Sequence, residues 1–366
     1  MKTFEDYNLR TNPFRMTPAQ KADEIIWAGF PEIKAKFEKR ILRSIITQSS
    51  SLVLNYGEYG SGKTHAARYF SKQDILAEIA EKGGKTQPLA ITLNFPKGKQ
   101  PVKDLYLQII DKLNIDNLRE AMRGINVKDI VSQVASGEYM TAIMNAVFND
   151  EIPAAQIQSF LYNSSATELR KLESYGVRRS LSSENDYSDV LSTLFSVVTY
   201  EKKIYSAVII WLDEFEDISI LNTANMASMN TFLRNLIDQT PNNLLLFLNL
   251  TQSAMMSLSE LSDYLMPAVE ERIKDRIEFA IPDESAFKEY LLDLLNNPIH
   301  RVNQQDNFYP FDDELVCKLM KDLKNKSLRR FNDAFSVLLE NAMVDDVSKI
   351  SVEYYESIKN DVIGWR

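Results

Sequence analysis

Residues 57–64 read GEYGSGKT and follow the apolar run SLVLNY at residues 51–56. The octapeptide matches the pattern G-x-x-x-x-G-K-[ST], and residues 63–82 have helical periodicity. Glycines between a buried strand and a helix let backbone N–H groups curl around phosphates at the positive end of the helix. The stretch therefore predicts a strand, a phosphate-binding loop and a helix. The alternative is a glycine-rich turn that matches the pattern by chance.

Each position of this loop has an expected role. We expect Lys63 to reach the β- and γ-phosphates of a nucleoside triphosphate, and the Thr64 hydroxyl to ligate Mg²⁺. The predicted nucleotide-binding residues of the loop are Gly57, Glu58, Tyr59, Gly60, Ser61, Gly62, Lys63, Thr64 and His65.

An acidic pair ends a second apolar run, SAVIIWLDEFED at residues 206–217. A phosphate-binding loop needs a carboxylate at the end of a neighbouring strand, because Mg²⁺ prefers carboxylate and water ligands. We expect Asp213 to hold Mg²⁺ through water and Glu214 to orient or deprotonate the attacking water. Glu216 and Asp217 are interpreted as surface charges. The alternative is that the acids only cap the strand as solvated charge.

A third apolar run, NNLLLFLNLTQ at residues 242–252, ends in polar residues. Asn249 and Thr251 are two positions apart and therefore face the same side of a strand. There they could touch the γ-phosphate or the attacking water, and we predict a catalytic role for both. Strand-end hydrogen bonding is the alternative for each residue.

The order of the elements predicts the fold. LAITLNF at 89–95 and RIEFAIPD at 276–283 have the composition of further strands, and the remainder of the C-terminal region is helical in period. Apolar strands separated by helices indicate an α/β fold with a parallel sheet covered on both faces. We place a domain boundary near residue 282. It gives an α/β base at 1–282, with a helical insertion at about 101–200, and an all-α lid at 283–366.

Composition limits the partners. The formal net charge is −9, with 42 Lys and Arg against 51 Asp and Glu, so a DNA contact would be a local patch or be shared with a partner protein. The single cysteine, Cys317, excludes an internal disulfide, and His65 and His300 are too few imidazoles for a zinc site. The chain has no apolar stretch long enough for a membrane helix and no signal peptide. We expect a cytoplasmic protein without membrane contact.

The motif order resembles that of the AAA+ ATPases. It consists of the P-loop, the DE acid pair, a polar strand end, Arg272 in EERIKDRIEF, and SLRR at residues 327–330. The NPF motif at 12–14 and the strand RIEFAIP are similar to those of archaeal origin-recognition initiators and of ATPases of the ExeA and TniB kind. The segment IQSFLYNSSATELRKLESYGV is similar to BREX-type phage-defence ATPases. The resemblance implies a P-loop NTPase (AAA+) base domain followed by a helical lid domain.

The resemblance also implies roles for individual residues. Arg272 takes the place of an arginine finger offered to the γ-phosphate of a neighbouring subunit, and Arg276 is the competing candidate; the alternative for either residue is a surface ion pair. Arg329 takes the place of the lid arginine that reports the nucleotide state, and Arg330 is the competing candidate; the alternative is that the pair is ordinary solvated charge on a helix face. The apolar candidates for an adenine pocket are Phe14, Ile26 and Trp27, and the alternative for them is a hydrophobic plug against the sheet.

The predicted function is a Mg²⁺-dependent ATPase that binds and hydrolyses ATP as a switch or remodelling factor. It would act in a homo-oligomer with shared ATP sites, in a DNA-associated complex of the loader, transposition or phage-defence type. About 20 residues follow the last lid-like helix, against the ~80 of a winged-helix DNA reader, so a partner protein is expected to supply sequence recognition. The alternative is a nucleotide-binding signalling or scaffold protein without turnover. Basic positions that could contact phosphates or a partner lie near Tyr175: Arg170, Lys171, Arg178 and Arg179.

Overall fold

The computed structural model describes residues 1–14, 21–47, 49–240, 242–252, 258–324 and 326–364. The strands are β1 (Ser51–Glu58), β2 (Leu89–Asn94), β3 (Val208–Asp213), β4 (Leu244–Gln252) and β5 (Ile273–Phe279). The helices are α1 (Pro31–Ile46), α2 (Lys63–Tyr69), α3 (Gln73–Lys82), α4 (Pro101–Lys112), α5 (Ile115–Ala121), α6 (Val127–Val134), α7 (Glu138–Val147), α8 (Ala154–Tyr162), α9 (Ala166–Leu172), α10 (Glu184–Val198), α11 (Thr223–Gln239), α12 (Leu261–Tyr264), α13 (Pro267–Glu270), α14 (Glu284–Asn296), α15 (Asp313–Asp322), α16 (Leu328–Val344) and α17 (Val352–Ile363).

The five strands form one parallel sheet in the order β2-β3-β4-β1-β5. The predicted α/β class, with a parallel sheet and a C-terminal helical region, is confirmed. The bounds of β1 and β5 differ from the sequence prediction. β1 continues through Gly57 and Glu58, and β5 begins at Ile273 and ends at Phe279.

The central strands are buried because both faces of the sheet carry apolar side chains. In β3, Ile210 and Leu212 belong to the large core formed with the helices of residues 101–198. Trp211 points to the opposite face, where its ring stacks on Phe247 of β4 at 3.9 Å between centroids. The uninterrupted apolar runs of the sequence are thus explained by helices and aromatic rings on the two faces.

The chain forms two compact units, each with its own core. The sheet unit comprises residues 37–56 and 71–277, and the loop-helix unit comprises residues 1–36, 57–70 and 278–366. The phosphate-loop segment and the N-terminal segment therefore group with the C-terminal helices. The division into 1–282 and 283–366 remains a prediction.

The loop-helix unit is held by aromatic packing around α14–α17. Phe331 of α16 stacks on Phe287 of α14 at 4.6 Å, and Phe335 lies edge-on to Phe311 at 4.8 Å. Phe14, from the N-terminal segment, packs between Phe311 and Phe335 at 5.7 and 5.4 Å. Among the described residues, no helix combines the length and apolar character needed to cross a membrane.

Candidate nucleotide-binding site

The segment GEYGSGKT forms a strand–loop–helix element. Gly60 and Gly62 have φ angles of +77° and +106°, a region that other residues rarely adopt, and Gly62 caps the N-terminus of α2. A Cβ on Gly57 would lie 2.6 Å from the carbonyl oxygen of Phe279, so only glycine fits there. The glycines of the motif are therefore required by the shape of the loop.

Lys63 folds its side chain into this loop. The residue is buried, and its Nζ donates hydrogen bonds to the carbonyls of Gly57 at 2.9 Å and Glu58 at 2.8 Å, and to Ser61 Oγ at 3.1 Å. A buried ammonium is costly unless it is well solvated by protein groups. The loop backbone thus holds the ammonium group of Lys63 at its middle. A bound anion could replace the carbonyls as the hydrogen-bond acceptors of this group.

The first turn of α2 carries Thr64 and His65. The Nε2–H of His65 donates to the carbonyl of Ile26 at 2.6 Å, and burial lowers the pKa of the imidazole, which therefore stays neutral at neutral pH. The neighbouring Trp27 packs on Tyr69 and Phe70 of α2 at 5.3 and 5.4 Å between ring centroids. Two of the adenine-pocket candidates thus contact the phosphate-loop segment, whereas Phe14 belongs to the aromatic core of the helices.

The lid candidate Arg329 lies beside the loop. Its guanidinium carbon is 4.2 Å from the centroid of the Tyr59 ring, and its backbone N–H donates to the Gly60 carbonyl at 3.3 Å. Arg330 follows it in α16, and the Ser327 hydroxyl accepts the backbone N–H of Arg330 at the start of the helix. Arg329 is therefore the member of the pair that contacts the loop.

In the sheet unit, three polar side chains from three strands form a buried chain of hydrogen bonds. Asn55 of β1 donates to Asn249 of β4 at 2.8 Å, and Asn249 donates to Asp213 of β3 at 3.3 Å. All three residues are at least nine-tenths buried. These contacts are the strand-end hydrogen bonding that was the alternative for Asn249, and its catalytic role remains a prediction. Asn55 was missed because it was counted only as part of an apolar run.

Glu214 follows β3 with a left-handed backbone, at φ +58°, and its side chain is half exposed. Lys97, in the loop after β2, pairs with Glu214 at 3.1 Å and with Asp217 at 2.8 Å. Hydrogen bonds to Asp217 and Glu214 raise the pKa of Lys97, so the ammonium remains charged. No sequence pattern marks Lys97, because its position depends on the pairing of β2 with β3.

The other acids of DEFED have structural contacts. The Thr251 backbone N–H donates to Glu216 Oε2 at 2.8 Å, which joins the end of β4 to the segment after β3. Asp217 is bound by Lys97, and both acids are partly buried. Their interpretation as surface charges is therefore wrong. Thr251 itself lies, as predicted, at the polar end of its strand.

The two finger candidates differ in their surroundings. Arg272 makes a two-pronged ion pair with Asp238 of α11, at 2.7 and 2.6 Å, and also donates to the carbonyl of Ala268. Arg276 lies on β5, is half exposed, and approaches Glu270 only to 3.9 Å. The described residues contain no group of three or more His, Cys, Asp or Glu side chains that could hold a metal ion.

A glycine loop that follows a parallel strand and encloses a buried lysine has the geometry of a phosphate-binding P-loop. No protein-family model and no curated protein sequence matches the chain. Its similarity to known proteins is therefore a matter of three-dimensional structure.

Solved structures of origin-recognition proteins share the fold. The ORC1 protein of Aeropyrum pernix in complex with DNA is similar over 99% of this chain and 71% of its own, with a TM-score of 0.51 and 14% identity. Cdc6p from Pyrobaculum aerophilum matches 97% of this chain and 72% of its own, with a TM-score of 0.51 and 12% identity. A chain of Drosophila ORC bound to DNA also has a TM-score of 0.51 and 12% identity, but this chain spans only 63% of its length. The chain thus has the AAA+ fold of these proteins, as predicted.

Proposed function

We propose that the protein is an AAA+ ATPase that binds ATP at residues 57–64 and hydrolyses it in the presence of Mg²⁺. The observation that carries the proposal is the buried ammonium of Lys63 inside a glycine loop whose carbonyls hold it. Phosphate oxygens bind an ammonium more strongly than neutral carbonyls do, because both partners are then charged. The ADP form of the Aeropyrum pernix ORC2 protein, with a TM-score of 0.51, has the same fold and supports a nucleotide as the ligand.

The remaining residues have distinct roles in this proposal. The hydroxyl of Thr64 and the carboxylate of Asp213 are hard oxygen donors of the kind that suit Mg²⁺, which would neutralise phosphate charge. Asn249 fixes the orientation of the Asp213 carboxylate, and Asn55 in turn fixes Asn249. Glu214 takes the proton of the attacking water. Direct contact of Asn249 or Thr251 with the γ-phosphate remains a prediction.

Substitution of Lys63 by Ala tests the proposal. The wild-type protein is expected to bind ATP and to release phosphate with Mg²⁺, and Lys63→Ala is expected to weaken ATP binding by about ten- to a hundredfold, the value of a charge-assisted hydrogen bond. Calorimetric titration and a phosphate-release assay measure the two effects. Lys85→Ala, outside the loop, is the matched control. Wild-type protein that binds no ATP would refute the proposal.

A second candidate is a nucleotide-binding scaffold without turnover. The ion pair between Lys97 and Glu214 favours it, since a carboxylate that stays bound to an ammonium is a poor base for water. Both carboxylate and ammonium are about half exposed, and such exposed pairs contribute only about 0–1 kcal/mol. Glu214 can therefore exchange its partner at little cost, and hydrolysis remains the leading proposal. ATP binding without phosphate release would favour the scaffold.

We further propose that this cytoplasmic ATPase acts as a homo-oligomer in a DNA-associated complex, with sequence recognition supplied by a partner protein. The ORC1 and ORC structures bound to DNA support DNA as the setting. The candidate roles in such a complex are those of a loader, a transposition factor or a phage-defence factor. Within the insertion, Lys171 and Arg179 are paired with Glu168 and Asp186, whereas Arg170 and Arg178 are exposed and make no ion pair among the described residues.

Replacing Arg170 and Arg178 together by Ala is expected to reduce direct DNA binding. Each lost phosphate contact lowers the slope of log affinity against log salt by about 0.9 for duplex DNA. Fluorescence anisotropy with ATP, from about 50 to about 200 mM salt, measures this slope. Arg123→Ala, which removes an exposed arginine from the turn after α5, should leave it unchanged. If the wild-type protein binds no DNA at low salt, recruitment by the partner alone is supported.

A further inference from the structure

The start of α16 lies directly against the phosphate-binding loop. The backbone N–H of Arg329 donates to the Gly60 carbonyl at 3.3 Å. A Cβ built on Gly60 would lie 2.8 Å from the Cβ of Arg329 and 3.4 Å from Ser327 Oγ. Glycine at position 60 is therefore what allows the helix to approach so closely. The contact joins the loop to a helix that lies about 270 residues further along the chain. A short surface loop does not need so distant a contact in order to fold.

The side chains of this contact form a stack. The Arg329 guanidinium carbon lies 4.2 Å from the centroid of the Tyr59 ring, within the range of a cation–π interaction. The Tyr59 side chain is not part of a core, because the residue is 66% exposed. Burial of apolar surface thus does not explain an aromatic residue in the middle of the glycine loop, whereas the stack with Arg329 does.

The stack leaves the donors of Arg329 available. A guanidinium stacks through its flat face, while its five N–H bonds point outward in its plane. In the part of the chain that the structure describes, the guanidinium of Arg329 donates no hydrogen bond. The ring of Tyr59 therefore fixes the plane of a charged group beside the loop and leaves its hydrogen-bonding edge unused.

We propose that Tyr59 is a positioning residue, whose ring holds the edge of Arg329 towards the terminal phosphate of a nucleoside triphosphate. The inference rests on the proposed function. In such loops the backbone N–H groups cradle the inner phosphates and the lysine reaches the outer ones. Arg329 contacts the first half of the loop, away from the start of α2. In the proposed complex it would therefore contact the terminal phosphate, which lies furthest from that helix. ADP lacks that phosphate, so the Tyr59–Arg329 pair confers selectivity for ATP.

Substitutions at Tyr59 test this inference. Tyr59→Leu, which keeps an apolar side chain but removes the ring, is expected to lower the ratio of ATP to ADP affinity by about two- to fivefold, the range of an exposed cation–π pair. Tyr59→Phe keeps the ring and should retain the ratio. Arg329→Ala should lower the ratio at least as much, and adding Tyr59→Leu to it should have no further effect. Titration calorimetry with each nucleotide gives the two dissociation constants.

The controls separate this inference from the proposed function. Arg330→Ala removes the same charge from the next position of α16 and should leave the ratio unchanged. A wild-type protein that binds ATP, together with a Tyr59→Leu variant of unchanged ratio, would overturn the inference alone. Equal losses for ATP and ADP would also overturn it, since they would indicate only a role in folding the loop. A wild-type protein that binds neither nucleotide would overturn the proposed function and this inference with it.

Discussion

Replacement of Glu214 by Gln is expected to lower the rate of phosphate release by about 10²- to 10⁴-fold while ATP binding is retained. The amide keeps the size and hydrogen-bonding capacity of the carboxylate but cannot accept a proton from water. The side chain is half exposed and lies outside the buried network of Asn55, Asn249 and Asp213, so the fold should not change. Single-turnover phosphate release and calorimetric ATP titration measure the two quantities separately.

Glu216 provides a matched control for this experiment. It lies two residues further along the same segment, and its carboxylate accepts the backbone N–H of Thr251. Glu216→Gln removes an equal charge and keeps an acceptor for that N–H, so the contact with Thr251 persists and phosphate release should stay within about twofold. Unchanged release in Glu214→Gln, or an equal loss in both variants, would exclude Glu214 as the base.

Sequence alone predicted the parts of the fold that depend on local patterns. The apolar runs before Gly57 and before Asp213 are long enough to be buried strands, and the glycine spacing requires a loop between strand and helix. The positive φ angles at Gly60 and Gly62 follow from the same spacing. The alternation of strands with helices then left a parallel sheet as the natural arrangement.

Contacts between distant segments could not be predicted from those patterns. Asn55 and Asn249 are 194 positions apart, and their hydrogen bond depends on where β1 and β4 lie in the sheet. The same holds for Lys97 and Glu214, whose loops meet only because β2 pairs with β3. A lone Asn inside an apolar strand next to a phosphate-loop motif is nevertheless a signal, since a buried amide needs a polar partner. That rule would have identified Asn55, but it would not have named its partner.

The grouping of the N-terminal segment with the C-terminal helices could not be predicted from local sequence patterns either. Phe14 was an adenine-pocket candidate because the family resemblance places that pocket between the N-terminal segment and the lid. In the structure it fills a gap between Phe311 and Phe335, as a core residue does. Its apolar character is consistent with either role, and only the three-dimensional neighbours decide between them.

The second large effect is expected from Arg272. If it serves as an arginine finger, Arg272→Ala should lower phosphate release by about 10³- to 10⁵-fold, because a guanidinium neutralises charge in the transition state. Its ion pair with Asp238 gives a sharp control. Asp238→Asn breaks the same pair but leaves the guanidinium in place, so it should change the free energy of unfolding by about 1 kcal/mol or less and preserve the rate. Equal losses of rate in both variants would show that phosphate release depends on the ion pair between Arg272 and Asp238, and not on an arginine finger.

Mixing of variants then tests whether the site is shared between subunits. Arg272→Ala subunits supply an intact Glu214, and Glu214→Gln subunits supply an intact Arg272, so mixed oligomers should regain part of the phosphate release that each variant lacks alone. The same mixing with Arg276→Ala tests the competing arginine, which is half exposed and only weakly paired with Glu270. Rescue with Arg276→Ala but not with Arg272→Ala would assign the finger to position 276. No rescue with either variant, at any mixing ratio, would mean that each subunit completes its own site.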